Sequence, residues 1–206
     1  MENKIHWEKV YTDKPAISVS WYQEHAEFSL SLLRNTGISK SAAIIDVGGG
    51  ASTLVDDLLV EGYSDVTVLD LSAAALSAAR KRLGALATEV KWLEADVTEA
   101  DLPGHRYDVW HDRAVFHFLT EPKQRHAYVE KVFHSVKPGG HVIVATFAED
   151  GPTQCSGLPV MRYSADKLHA QFGEAFTLVK HVREDHHTPS GAVQHFVYCY
   201  CRVVAS

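Results

Sequence analysis

The hydrophobic positions along the chain alternate between two periods. Short runs rich in Val, Ile and Leu are typical of buried strands, and the stretches between them carry apolar residues at helical spacing. The predicted strands are Ala42–Val47, Val66–Leu69, Val90–Glu94, Tyr107–His111, His141–Phe147, Phe176–His181 and Gln194–Val203. The predicted helices are Ser52–Glu61, Ala73–Leu83, Lys123–Val136 and Ala165–Phe172. This alternation predicts an α/β fold with a mostly parallel sheet.

The two ends of the chain depart from this alternation. Residues 1–40 precede the first strand, and we expect them to form an N-terminal lid or covering helix within a single domain that spans residues 1–206. Their large aromatic residues include Trp7, Tyr11, Trp21 and Tyr22. The last two strands are joined by the polar stretch Val182–Val193. This stretch predicts a long hairpin and therefore an antiparallel end to the sheet.

Composition and charge narrow the class of protein. Hydrophobic residues make up 46% of the chain and charged residues 22%, which are ordinary globular values. The net charge of −6, without a cluster of Lys and Arg, argues against a nucleic-acid partner. The sequence has neither an apolar run long enough for a membrane helix nor the apolar core of a signal peptide at its start, so we expect a cytoplasmic protein without a membrane partner. Three cysteines fit a reducing compartment, and no metal is predicted.

The segment Ile44–Thr53 carries the strongest chemical signal. An apolar strand that includes Asp46 runs into Gly48, Gly49 and Gly50, and a predicted helix follows. Glycines at such a point let a ligand approach the backbone where a Cβ atom would block it, and the start of a helix favours a negative group. We therefore predict a ligand-binding loop.

Two residues beside the loop favour one kind of ligand. A dinucleotide fingerprint would place glycine at position 53, where Thr53 stands. Asp46 would repel a pyrophosphate and attract a cation. S-adenosylmethionine (SAM) carries a sulfonium and an ammonium group and no phosphate, so Asp46 favours SAM and disfavours a nicotinamide cofactor. The alternative is that Asp46 only caps the glycine loop.

Two further carboxylates follow predicted strands. Asp70 ends the second strand, 22 residues after Gly48 (70 − 48 = 22). That is the spacing at which an acidic residue accepts ribose hydroxyls in a βαβ unit. Asp96 follows the third strand and is a candidate acceptor for the adenine amino group. The simpler alternatives are a helix cap for Asp70 and a surface carboxylate for Asp96.

With these motifs the chain resembles the class I SAM-dependent methyltransferases, from Ala42 to about Arg202. The resemblance rests on Asp46–Ser52, Asp70, Ala95-Asp96-Val97, Tyr107-Asp108-Val109-Trp110 and Lys137-Pro138-Gly139-Gly140. It implies a Rossmann-like sheet of seven strands, mostly parallel with an antiparallel last strand, and helices on both faces. It also implies a set of cofactor contacts, namely Asp46, Gly48, Gly49 and Gly50 at the methionine part, Asp70 at the ribose, and Asp96 and Val97 at the adenine. Leu71 is a further candidate cofactor contact. Ser52 stands where the family usually has a third glycine.

The segment after the fourth strand supplies candidate catalytic residues. His111, Asp112 and Arg113 lie at the carboxyl end of a central strand, where open α/β sheets bind ligands. A histidine there is a candidate proton acceptor and Arg113 a candidate partner for a carboxylate of SAM or of the substrate. The stretch resembles that of thiopurine methyltransferases, and the Asn-Pro-Pro-Tyr motif of amino-group DNA methyltransferases is absent.

Substrate contacts are expected from His117 and from the long loop Phe147–Tyr163, which follows the fifth strand. The candidate substrate-binding residues are His117, Cys155, Arg162 and Tyr163. For His117, which lies between two phenylalanines, a packed core position is the alternative. Trp21 is a candidate for stacking on the sulfonium by cation–π attraction, or for packing beneath the lid.

The sequence thus predicts a SAM-dependent methyltransferase that acts on an N, S or O nucleophile of a small molecule. The compact size, without an added recognition domain, favours a small molecule over a protein side chain. The alternatives are a protein methyltransferase and a SAM-binding module without turnover.

Overall fold

The computed structural model describes residues 2–205 and contains a seven-stranded sheet. The strands are β1 (Ala43–Val47), β2 (Asp65–Asp70), β3 (Val90–Glu94), β4 (Tyr107–Arg113), β5 (Val136–Phe147), a small hairpin of β6 (Gln154–Cys155) and β7 (Leu158–Pro159), β8 (Phe176–His187) and β9 (Val193–Val203). The order in the large sheet is β3-β2-β1-β4-β5-β9-β8, and only β9 runs antiparallel to the others. The predicted fold class is confirmed.

Helices cover both faces of this sheet. They are α1 (Glu2–Asp13), α2 (Glu27–Arg34), α3 (Leu54–Val60), α4 (Ala73–Leu83), α5 (Pro122–Ser135) and α6 (Ala165–Ala170). Side chains of β1 alternate between the two faces, because successive residues of a strand point in opposite directions. Ile45 packs in a core with Tyr128 of α5, whereas Ile44 packs in a second core with Leu58 of α3. The helix starts follow from the sequence, since the hydroxyl of Ser72 accepts a hydrogen bond from the amide of Ala75 at the start of α4.

The hairpin at the end of the sheet differs from the prediction. The expected long connection Val182–Val193 is mostly strand, because β8 continues to His187 and only residues 188–192 connect it to β9. Polar residues here alternate in burial, with Glu184 and His186 buried and their neighbours exposed. This two-residue period of burial is typical of a strand, although the residues are polar. The inward side chains of Glu184 and His186 form hydrogen bonds with the N-terminal segment.

The start of β5 also differs. Pairing with β4 begins at Val136, and residues 137–140 bulge before regular pairing resumes at His141. Gly139 takes a φ of 73° within this bulge, a conformation that glycine adopts without strain.

The N-terminal segment contains helix α1, and its predicted covering role stays a prediction. Helix α1 is attached to the sheet domain by polar contacts, since the carboxylate of Glu8 accepts hydrogen bonds from the amides of Ala73 and Ala74 at the start of α4. Lys4 also forms an ion pair with Glu94 at the end of β3. Among residues 2–205, no helix has the length and apolar character that crossing a membrane requires.

Candidate functional site

The carboxyl ends of β1, β2 and β4 meet at a crevice, and the glycine loop after β1 forms its floor. Gly48 has a φ of 71°, and a Cβ atom on it would lie 2.0 Å from Cγ2 of Val115. Both the backbone conformation and the close contact therefore require glycine at this position.

The other two glycines leave room for two carboxylates. A Cβ on Gly49 would lie 2.2 Å from Oδ2 of Asp46, and one on Gly50 would lie 2.5 Å from Oδ2 of Asp70. The loop therefore packs directly against both acidic side chains. This is a second reason for the glycines, beside the ligand approach that the sequence predicts.

Asp46 presents an unpaired oxygen at this crevice. Its side chain is 2% exposed, and Oδ1 accepts a hydrogen bond from Nδ1 of His111 at 2.7 Å. Within the described chain, Oδ2 is buried and has no hydrogen-bond partner. Burying a carboxylate oxygen without a hydrogen bond costs folding free energy. A cationic ligand group that pairs with this oxygen would remove that cost and so bind favourably.

Asp70 lies at the next strand end and is held by the backbone. Its two oxygens accept hydrogen bonds from the amides of Gly50, at 3.0 Å, and Ser72, at 2.8 Å. Burial raises the pKa of Asp70 to about 6, against the opposite effect of these two amides. Each carboxylate oxygen can accept a second hydrogen bond, so Asp70 retains the capacity to bind two hydroxyl groups.

Asp96 completes a row of three carboxylates along the strand ends. Its Oδ1 accepts hydrogen bonds from the amide and the hydroxyl of Thr98, which fixes the side chain after β3. Asp70, Leu71, Asp96 and Val97, all predicted cofactor contacts, line one cavity together.

Two adjoining cavities make up the crevice. The larger encloses about 830 Å³, including its open mouth, and is lined by Asp70 and Asp96. The second contains Asp46, Gly49 and Ser52. Residues that line both are Tyr11, Trp21, Val47, Gly48 and Arg113. Each cavity is therefore lined by at least one of the predicted carboxylates, Asp70 and Asp96 in the larger and Asp46 in the second.

Aromatic side chains of the N-terminal segment cover the crevice. The ring of Trp7 lies edge-on to Phe118 at 5.1 Å and to Trp21 at 5.7 Å. Nε1 of Trp21 donates a hydrogen bond to the hydroxyl of Tyr11 at 3.2 Å. Trp21 borders the cavities as the sequence predicts, and its cofactor contact stays a prediction.

His111 is held on both ring nitrogens. Nδ1 donates to Asp46, and Nε2 accepts from the hydroxyl of Ser29 at 2.9 Å. The ring therefore orients the Asp46 carboxylate. The proton-accepting role predicted for His111 would require it to give up one of these contacts.

Asp112 points away from the crevice. Its carboxylate accepts hydrogen bonds from the amides of Val115 and Phe116 and from the hydroxyl of Tyr128, the last at 2.6 Å. Burial raises its pKa to about 6. These contacts make Asp112 a clamp for the turn after β4, and it lines neither cavity.

Of the four predicted substrate-binding residues, only Cys155 lines a cavity of the crevice. Cys155 lines the larger cavity, with a thiol whose pKa burial raises to about 12, so the thiol stays protonated. His117 is a core residue, as the alternative interpretation expected, and burial together with the charge of Arg113 lowers its pKa to about 3. Arg162 binds the carbonyls of Glu149 and Gly151 outside the crevice. Tyr163 packs against Phe116 in the core.

Sequence reasoning missed residues that lie far away along the chain. Glu184 on β8 pairs with Arg113, although 71 positions separate them, and Gln23 donates to the same carboxylate. The signal for Glu184 was the alternation of burial in a polar stretch. We find no local signal that identifies Gln23.

Comparison with known proteins agrees with this geometry. A family model described as a methyltransferase domain matches residues 44–140. The chain is 28% identical over 109 residues to the ubiquinone/menaquinone biosynthesis C-methyltransferase of Roseobacter denitrificans, covering 52% of this chain and 42% of that protein. It is 24% identical over 108 residues to the eEF1A lysine and N-terminal methyltransferase of Mus musculus, covering 52% of this chain and 15% of that protein. The chain thus spans less than half the length of these curated relatives.

A solved structure shares the fold over nearly the whole chain. It is the 1,6-didemethyltoxoflavin-N1-methyltransferase of Burkholderia thailandensis with bound 1,6-didemethyltoxoflavin and S-adenosylhomocysteine, and its TM-score is 0.69 at 22% identity. The match covers 98% of this chain and 84% of that one. Together with the glycine loop and the three carboxylates, these findings support the family predicted from the sequence: residues 44–140 match a methyltransferase domain, and nearly the whole chain shares the fold of a solved methyltransferase.

Proposed function

We propose that this chain transfers the methyl group of SAM to an N, S or O nucleophile of a small molecule. The observation that carries the proposal is the buried, unpaired Oδ2 of Asp46 at the glycine loop. A phosphate-bearing ligand would be repelled there, and a cationic amino-acid group would be paired.

The residues present fit both halves of SAM. At one end, Asp46 and the glycine loop suit the ammonium group of the methionine part. At the other end, Asp70 suits the ribose hydroxyls, and Asp96 with Val97 suits the adenine. The spacing of the three carboxylates along neighbouring strand ends follows from the parallel sheet, so the match does not depend on a flexible loop.

The chain would contribute alignment and exclusion of water. SAM, when bound, would supply a methyl group activated by its positively charged sulfur, and the acceptor would release any proton of its nucleophile to solvent. The aromatic side chains of Trp7, Tyr11 and Trp21 cover the region between the cavities and would keep water from it. Holding two reactants in line is worth several powers of ten in rate, so this family of reactions needs little further help.

The covering helix supports a small acceptor over a protein side chain. Helix α1 lies across the crevice and is anchored by Glu8 and by the Lys4–Glu94 ion pair. A polypeptide acceptor would have to displace this helix to reach the cavities. A protein acceptor, as named for the mouse relative, is therefore the second candidate.

The proposal is tested with SAM labelled on its methyl group. The protein is incubated with labelled SAM and a cell lysate, and the products are separated by size. We expect label in the small-molecule fraction. Label confined to protein would favour the second candidate, and no transfer beyond that of the Asp46→Asn variant would contradict the proposed activity.

A further inference from the structure

Arg113 ends β4 with its guanidinium directed toward the far half of the sheet. Nε donates to Oε2 of Glu184 at 3.2 Å and to the hydroxyl of Tyr198 at 3.1 Å. The guanidinium also lies 4.2 Å from the ring centroid of Phe196. These partners belong to β8 and β9, whereas the carboxylates suited to the cofactor end β1 and β2 or follow β3.

One corner of this guanidinium has no partner. The side chain is only 9% exposed, and among residues 2–205 its Nη2 is buried without a hydrogen bond. Nη1 makes only a long contact, of 3.5 Å, with the carbonyl of Trp21. A fixed guanidinium whose Nη2 has no partner, and whose Nη1 makes only this long contact, can present both nitrogens to the planar, two-oxygen geometry of a carboxylate.

The neighbouring Glu184 does not take this free edge. Its Oε1 accepts a hydrogen bond from Nε2 of Gln23 at 2.8 Å. Its Oε2 accepts from Arg113 and from the hydroxyl of Tyr198, the latter at 2.8 Å. Glu184 therefore contacts the guanidinium through Nε alone, so it fixes the side chain and leaves Nη2 free.

Arg113 also differs in charge from the other described residues that line the two cavities. It lines both cavities, and among the described residues that line them it is the only Lys or Arg. On the β4 side of the crevice it is accompanied by Phe118 and Cys155 and by the rings of Trp7 and Trp21. A neutral acceptor would leave its buried donor unpaired, which costs binding free energy.

We propose that Arg113 recognises the acceptor, and that the acceptor is a small molecule bearing a carboxylate, which pairs with the Nη1–Nη2 edge. The inference rests on the proposed function, because it assigns the acceptor side of the same crevice. Glu184, Tyr198 and Gln23 are positioning residues that hold the guanidinium.

The experiment compares carboxylates with their neutral amides. The protein is saturated with S-adenosylhomocysteine, and matched pairs such as benzoate and benzamide, or indole-3-acetate and indole-3-acetamide, are titrated by calorimetry. We expect at least one carboxylate to bind roughly 10-fold or more tightly than its amide, as a charge-assisted hydrogen bond to a buried donor implies. Equal binding within every pair in the wild-type protein would overturn the proposal.

Variants locate the preference at Arg113. The double variant R113Q/E184Q removes both charges of the buried pair, and we expect it to lose the preference for carboxylates. The matched control R183Q/D150N removes an ion pair between Arg183 of β8 and Asp150 on the exposed face, and it should keep the preference. If R113Q/E184Q does not fold, R113K retains the charge without the planar edge and should reduce the preference several-fold.

The affinity for S-adenosylhomocysteine separates the two possible sources of a carboxylate. If Arg113 serves the acceptor, R113Q/E184Q binds S-adenosylhomocysteine within about 3-fold of wild type. A variant that loses that affinity 10-fold or more but keeps the preference among the small acids would show that Arg113 binds the methionine carboxylate, which refutes the inference. Failure of the wild-type protein to bind S-adenosylhomocysteine would instead refute the proposed function.

Discussion

Replacement of Asp46 by Asn separates ligand binding from stability. Among residues 2–205, Oδ2 of Asp46 is buried without a hydrogen-bond partner, while Oδ1 accepts a hydrogen bond from His111. Asn keeps the shape and the acceptor for His111 but removes the charge. A charge-assisted hydrogen bond contributes about 1.5–3 kcal/mol, so D46N should bind S-adenosylhomocysteine roughly 10- to 150-fold more weakly.

The same substitution should not lower the stability of the ligand-free protein. A buried polar atom without a partner costs about 1–3 kcal/mol, and a charged one costs more than a neutral amide. The free energy of unfolding of D46N, measured by urea denaturation without ligand, should therefore equal or exceed that of wild type. Calorimetry with S-adenosylhomocysteine gives the affinity on the same samples.

Asp112 provides the matched control, because it is an equally buried aspartate whose oxygens all have partners. D112N loses acceptor strength toward Tyr128 and two amides, so we expect it to lose about 1–3 kcal/mol of stability and to bind S-adenosylhomocysteine within about 3-fold of wild type. Two results would refute this interpretation. One is a D46N variant that binds S-adenosylhomocysteine as tightly as wild type. The other is that D46N and D112N lose the same free energy of unfolding and the same affinity for S-adenosylhomocysteine.

Three further predictions address the floor and the cover of the crevice. Gly50→Ala places a Cβ 2.5 Å from Oδ2 of Asp70, so it should cost about 1–3 kcal/mol of stability in urea denaturation and at least 10-fold in S-adenosylhomocysteine affinity by calorimetry. Gly157→Ala, at a φ of 79° with open space around it, should also lower stability but should leave that affinity unchanged. The proposed ribose contact is stronger with ionised Asp70, whose raised pKa is about 6. The affinity for S-adenosylhomocysteine should therefore fall as the pH drops below 6, by at most tenfold per pH unit, and Asp70→Asn should remove that part of a calorimetric pH profile. Glu8→Ala removes the carboxylate that holds α1 to the start of α4, so it should lower the free energy of unfolding by about 0.5–2 kcal/mol. It should also speed the dissociation of S-adenosylhomocysteine, measured by stopped-flow tryptophan fluorescence, and an unchanged dissociation rate would refute the covering role of α1.

The parallel half of the fold and the carboxylates at its strand ends were predictable because they depend on local signals. Each strand from β1 to β3 ends near a carboxylate, and parallel strands bring their carboxyl ends to one edge. Asp46, Asp70 and Asp96 therefore had to line a common crevice once the strands were recognised. The glycines were also predictable as a loop, although their contact with the two carboxylates depends on packing.

The segment His111–Arg113 shows what the sequence contained but the prediction did not use. Successive side chains of a strand point to opposite faces, so Asp112 cannot share the crevice with His111 and Arg113. The prediction grouped all three as catalytic candidates. The pairing of Arg113 with Glu184 could not be predicted, because it depends on the register of β8 and β9, which only the folded sheet sets.

The crevice suits a cationic adenosine ligand without phosphate. Calorimetric titration of the ligand-free protein with S-adenosylhomocysteine and, separately, with NAD distinguishes such a ligand from a dinucleotide. We predict that one molecule of S-adenosylhomocysteine binds per chain and that NAD gives no binding heat at the same concentrations. Binding of NAD, or no binding of S-adenosylhomocysteine at millimolar concentration, would contradict the account.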